Sequence, residues 1–176
     1  MQTANAYTQE KTGDIYDELL YVSVKAQKMY HILNAEIIKT YTISTAEKGV
    51  GNIKNSDQTP LGLHSIKEKH GENTPVNGRM VGRIFYGKIT AIYQDSTRSK
   101  ADDVTTRILW LTGEEEGFNK GENVDSYQRY IYIHGTSEEG RLGAPASHGC
   151  IRMKNTEVLE LYNKIAVGTK VLILDK

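Results

Sequence analysis

Most of this chain is written in short β-prone runs, and that pattern leaves few folds open to it. Residues 19–25 and 28–33 are separated by Ala26-Gln27, which predicts a hairpin. Residues 36–45 follow Asn34-Ala35 and alternate Ile37, Lys39, Tyr41 and Ile43 with Ile38, Thr40 and Thr42. Further strands are expected at 63–67, across 79–93, at 104–112 and, most clearly, at 127–134. In that last run Ile131 and Ile133 face one side while Tyr130, Tyr132 and His134 face the other. Eleven tyrosines against two phenylalanines suit half-exposed sheet faces, where the ring packs and the hydroxyl stays wet. Helical spacing occurs once, in Val158, Leu161, Tyr162 and Ile165, with Asn155 as N-cap and Gly168 as stop. A closing strand is expected at 170–174. The expectation is therefore one mainly β, sandwich-like domain over 19–176, behind a polar extension at 1–18.

Composition removes several classes of function. The chain has 22 basic and 22 acidic side chains, so its formal charge of zero offers no general field for nucleic acid. The acidic run Glu114-Glu115-Glu116 reads as a solvated loop. No apolar stretch reaches the roughly 18 residues a membrane helix needs, and residues 1–17 lack the pattern of a secretory signal. A single cysteine rules out an internal disulfide framework and a multi-cysteine zinc cage. Cys150 is then the residue that needs an explanation.

It lies in Ser147-His148-Gly149-Cys150-Ile151-Arg152, between a loop and the expected start of the helix. A thiol acts as a nucleophile only as thiolate, which a helix N-terminus and a histidine both favour. His134 ends a strand 16 residues earlier, and a returning loop can bring it beside the thiol. Gly149 permits close backbone approach, so the amides of residues 148–150 are candidates for an oxyanion pocket. Together these parts suit acyl transfer through a thioester. Two other readings stay open: a buried structural cysteine, and a zinc hydrolase using His134, His148 and Cys150 with His64 or His70 as fourth ligand. His31 reads as structural, while His64 and His70 flank a loop that could line a cleft.

The segments Ile133-His134-Gly135-Thr136 and Ser147-His148-Gly149-Cys150-Ile151-Arg152-Met153-x-Asn155 closely resemble the L,D-transpeptidase catalytic (YkuD) domain. The resemblance extends to Gln58-Thr59-Pro60-Leu61-Gly62 upstream and Val167-Gly168-Thr169-x-Val171 downstream. It implies a β-rich enzyme that acts on the peptide stems of peptidoglycan, cleaving the bond between diaminopimelate and a terminal D-alanine. Cys150 would be the nucleophile, His134 its base, and the Gly135 carbonyl would orient His134. His148, Gly149 and Cys150 would shape the oxyanion pocket. Arg152 would brace the motif or hold a substrate carboxylate, with Ser147 and Tyr132 as wall residues. No cofactor or metal is expected, and carbapenems would acylate Cys150. If Met1 is the native start, a cytoplasmic L,D-carboxypeptidase is expected. If an export signal has been removed, the expectation is a periplasmic or cell-envelope enzyme forming 3-3 cross-links. A non-catalytic wall-binding module is the remaining alternative.

Overall fold

The computed structural model describes residues 2–176. Ten strands and two α-helices follow in the order α1 (Gln2–Thr12), β1 (Glu18–Ser23), β2 (Lys28–Leu33), β3 (Glu36–Ser44), β4 (Gly62–His70), β5 (Gly78–Val81), β6 (Ile84–Ile89), β7 (Val104–Gly113), β8 (Tyr132–Gly135), β9 (Ile151–Met153), α2 (Asn155–Lys164) and β10 (Lys170–Leu174). Hydrogen bonding runs β4-β10-β1-β2-β3-β9-β8-β7, and a further pairing of β7 with β4 closes the ring. The mainly β, sandwich-like domain expected from the strand pattern is thus closed at both edges. The β5–β6 hairpin hangs from the first residues of β7. No helix among the described residues is long and apolar enough to cross a membrane.

Three apolar clusters hold the ring. The largest fills its interior with Leu20, Met29, Tyr41, Ile43, Leu109, Leu111, Ile133, Ile151 and Met153, onto which α2 packs Val158 and Leu161. The helical spacing at 155–165 thus marks a real apolar stripe. A second cluster lies outside β1 and β10, where Leu19, Leu172 and Leu174 are covered by Ala4 of α1. The third lies outside β7 and β8, where Met80, Ile108, Trp110 and Tyr132 are covered by Phe85 of the hairpin.

Several sequence expectations change. Residues 2–12, read as polar extension, form a helix that docks through Ala4 and Thr8, both buried. Small residues one turn apart make that contact, so no apolar periodicity announces it. The run 127–134 is a strand only from Tyr132. Tyr130 takes a positive φ of 57°, and its amide bonds the Tyr127 carbonyl at 3.0 Å, which makes a turn. Glu114 and Glu115 are only partly solvated and are engaged within the fold: Glu114 pairs with Lys170 at 2.8 Å, and Glu115 accepts from the Leu63 amide at 2.7 Å and the Tyr7 hydroxyl at 2.9 Å. Asn155 is the first residue of α2 rather than its cap. Its carboxamide oxygen accepts from the Thr105 and Thr106 hydroxyls, and its nitrogen donates to the Thr136 carbonyl.

His64 and His70 line no common cleft. His64 is fully buried in β4, bonded to the Gly62 carbonyl at 3.0 Å and the Ser126 hydroxyl at 2.9 Å. Burial pushes its pKa down to about 4. The imidazole is therefore neutral in the fold and titrates near 6.5 when unfolded, so the unfolded state binds more protons below pH 6.5. Stability is lost as pH falls through that window, by about 3 kcal/mol from His64 when pH 4 is reached. Urea unfolding at pH 7, 5.5 and 4 checks this: the loss should shrink in His64→Asn, and equal losses in both proteins would refute the assignment.

Candidate active site

The site is built where β8 and β9 run parallel. A parallel pair cannot be joined by a tight turn and needs a crossover of about a dozen residues or more. Residues 136–150 supply it, which accounts for the 16-residue spacing between His134 and Cys150. In register, Ile133 faces Ile151 and His134 faces Arg152. Ile133, Ile151 and Met153 point into the core, so Tyr132, His134, Cys150 and Arg152 share the outer face. Cys150 immediately precedes β9, and the strand separates it from α2. The expected activation of the thiol by a helix N-terminus is therefore absent.

Cys150 is half-buried, with Sγ 3.4 Å from the Tyr132 amide and 3.4 Å from the Tyr130 carbonyl. Burial, with help from the Asp102 carboxylate, pushes its pKa up to about 12. His134 is fully buried, and its Nδ1 lies 2.6 Å from the Gly135 carbonyl. A carbonyl only accepts, so Nδ1 carries the proton and Nε2 presents its lone pair. Among the described residues Nε2 is a buried atom without a partner. Burial lowers the His134 pKa, against the pull of Asp102 and the Gly135 carbonyl. The pair at rest is a neutral thiol and a neutral imidazole. Gly135 itself has no room for a side chain, because a Cβ would lie 2.5 Å from Asn155 Oδ1 and 2.8 Å from the Thr105 carbonyl.

The turn before Cys150 is fastened from several sides. Gly149 has φ +128°, a conformation L side chains rarely adopt, and a Cβ there would lie 3.3 Å from the Gln58 carbonyl oxygen. Thr59 accepts from the Ala46 amide and donates to the Gly149 carbonyl at 3.0 Å. The buried Ser147 hydroxyl donates to the Cys150 carbonyl at 2.6 Å and accepts from the Gly149 amide at 3.2 Å. The His148 amide donates to Asp102 at 3.0 Å. Two of the three amides expected in an oxyanion pocket are thus committed within the protein, and that of Cys150 is the third. The His148 ring is exposed, 3.6 Å from Asp102.

Arg152 is buried and spends its guanidinium internally. It bonds Asp102 Oδ1 through Nε at 2.8 Å and Nη2 at 2.7 Å, and Glu138 Oε2 through Nη1 at 2.8 Å. Of its two expected roles, this geometry is that of the brace. Burial pushes the Glu138 carboxyl up, but the Ser99 amide, Arg152 and Arg141 outweigh it and hold the pKa at about 2. Asp102 and Glu138 went unread in the sequence, where each is one of two adjacent acids in a polar turn. The four-donor metal set does not assemble: His64 is held by Ser126, His70 by Glu68 at 2.8 Å, and His148 turns to Asp102. Among the described residues no three His, Cys, Asp or Glu are grouped to hold a metal ion.

The family described as YkuD, L,D-transpeptidase catalytic domain, matches residues 17–173. "Putative L,D-transpeptidase YqjB" of Bacillus subtilis is 28% identical over 90% of this chain and 72% of its own length. The L,D-transpeptidase (residues 123–326) of Xylanimonas cellulosilytica superposes with a TM-score of 0.57 at 16% identity, covering 92% of this chain and 62% of that one. L,D-transpeptidase 3 of Mycobacterium tuberculosis, solved with a faropenem-derived adduct, gives a TM-score of 0.53 at 15% identity, covering 89% of this chain and 60% of that one. The chain therefore spans about three fifths of the length of these two solved chains, and at such identities they share the fold.

A thiol held near pKa 12 should be alkylated by iodoacetamide about tenfold faster per pH unit from 7 to 10, without a plateau. A plateau near pH 7 would mean a resting thiolate. Cys150→Ala should change unfolding free energy by less than about 1 kcal/mol in urea titrations, because the thiol fills little of the core.

Proposed function

This chain belongs to the L,D-transpeptidase catalytic domain family, and on that premise we propose that Cys150 forms a thioester with the diaminopimelyl carbonyl of a peptidoglycan tetrapeptide stem. The observation that carries this reading is His134: a buried imidazole with Nδ1–H fixed on the Gly135 carbonyl and Nε2 unpartnered on the face that bears Cys150. Because both groups are neutral at rest, the thiol proton passes to Nε2 as sulfur attacks the carbonyl carbon. The charge that develops on the carbonyl oxygen is met by backbone donors, of which the Cys150 amide is the first candidate. Collapse breaks the C–N bond, and the imidazolium returns its proton to the departing D-alanine amine. An acceptor amine then attacks the thioester, loses its proton to His134, and the thiol is restored.

Relatives named for transfer, YqjB among them, favour an amine as acceptor and hence a 3-3 cross-link. Water in that place gives the L,D-carboxypeptidase. Cross-linking requires peptidoglycan outside the cytoplasmic membrane, so a cell-envelope location goes with the transfer reading and a cytoplasmic one with hydrolysis.

Mass spectrometry of products from disaccharide-tetrapeptides decides the acceptor: cross-linked dimers are expected, and tripeptide alone would establish hydrolysis. Cys150→Ala should abolish D-alanine release, and His134→Ala should lower it at least about 100-fold. Imipenem should add one covalent equivalent to Cys150. An unmodified mass after long incubation, together with no D-alanine release, would overturn the proposal.

A further inference from the structure

Arg152 and Arg129 act on the thiol directly and Arg83 reaches it through Tyr132, and of the three only Arg83 has a free fork. Arg152 is consumed by Asp102 and Glu138. Arg129 donates to the carbonyls of Gly51 and Gln58 and to the Ser56 hydroxyl. Arg83, at the tip of the β5–β6 hairpin, makes no ion pair among the described residues, and its one hydrogen bond there goes from Nη1 to the Tyr132 hydroxyl at 3.2 Å. Its guanidinium lies 4.5 Å over the Trp110 ring and 5.9 Å from the Tyr130 ring centre. The nearby Glu68 is engaged by Tyr127 at 2.6 Å and His70 at 2.8 Å.

The position is costly to fill with arginine. Val81 pairs with Ile84 across the two-residue turn Gly82-Arg83, and both turn residues have positive φ, 55° and 72°. Glycine or asparagine is the undemanding choice at the second site. The aromatic stack then fixes the guanidinium instead of leaving it to solvent. Trp110 stacks on Tyr127 at 4.1 Å and meets the Tyr132 ring edge-on at 5.5 Å. Tyr132 links the two sites, with its amide 3.4 Å from Cys150 Sγ and its hydroxyl on Arg83.

A preoriented guanidinium without an ion pair, linked to the thiol through Tyr132, matches a planar anion on the substrate. The geometry points to Arg83 as the residue that recognises the terminal carboxylate of the stem peptide, the one carried by the departing residue. This rests on the acyl-transfer reading above. The scissile carbonyl sits at Sγ, and the departing residue extends one residue further, about 3.8 Å between Cα atoms, before its carboxylate begins. Tyr132 bridges the two ends of that path, with its amide at Sγ and its hydroxyl at Arg83. Arg152, the obvious arginine in the sequence motif, is unavailable for this task.

Two substrates separate recognition from scaffolding: the tetrapeptide with a free C-terminus, and the same peptide as its C-terminal amide. In the Cys150→Ala background, calorimetry should show the acid binding at least about tenfold tighter than the amide. Arg83→Gln should erase that difference while leaving the amide's affinity unchanged. Arg83→Lys should restore part of it. With Cys150 present, Arg83→Gln should raise KM for the acid about tenfold and leave kcat within about twofold. Equal binding of acid and amide by the parent protein, or equal weakening of both by Arg83→Gln, overturns the assignment while D-alanine release leaves the acyl-transfer reading standing. Absence of both binding and release overturns that reading and this one with it.

Discussion

The parallel pairing of β8 with β9 is the constraint on which the rest depends. It sets His134 opposite Arg152 and Cys150 one step behind, all on one face. It also turns the neighbouring residues Ile133, Ile151 and Met153 into the core. The period of two thus divides each strand between stability and chemistry, and a one-residue slip would bury the thiol and expose the isoleucines. Residues on the inner face resist such a slip, since Ile133 and Ile151 lie fully buried against α2 and the neighbouring strands.

A parallel pair needs a long connection, and a long connection needs fastening. Arg152 supplies it from β9, reaching Glu138 inside the crossover and Asp102 just before β7. Glu138 in turn accepts from Ser99 and Arg141. Taking these charges from water is expensive unless every donor is matched. Here Nε, Nη1 and Nη2 of Arg152 all have acceptors, so the network fixes one path for the chain into Cys150. Asp102 also raises the thiol pKa and pulls that of His134 upward. The brace and the proton balance of the site are therefore coupled through one carboxylate.

The readable parts of this protein were those with local patterning. The hairpin at Ala26-Gln27, the strand at 104–112, the α2 stripe and the closing strand each carry their period within the segment. The cysteine motif is equally local, because Gly149 is required by its own φ and Ser147 by its bond to the Cys150 carbonyl three residues on. What stayed hidden depends on partners far along the chain. The α1 helix docks through Ala4 and Thr8, which carry little apolar signal. β9 is three residues long and owes its strand form to β3 and β8. Asp102, Glu138 and Arg83 are ordinary charges in polar turns, and only the closed ring shows which charges each one meets.

Electrically, the neutral formal charge and the neutral resting pair belong together. A stem peptide carries ammonium and carboxylate groups at once, so a strong overall field would help one end and oppose the other. Under the proposed function, local recognition avoids that conflict. The internal pairing of Arg152 removes one positive charge from the cleft, while the orphaned Nε2 of His134 leaves a proton acceptor there without adding charge. An unpartnered buried nitrogen costs about 1–3 kcal/mol, and Leu109, Ile133 and Ile151 packed behind it give ample burial to offset that. The outer face thus carries an unpartnered imidazole nitrogen and a protonated thiol, the two groups that the proposed acyl transfer would use.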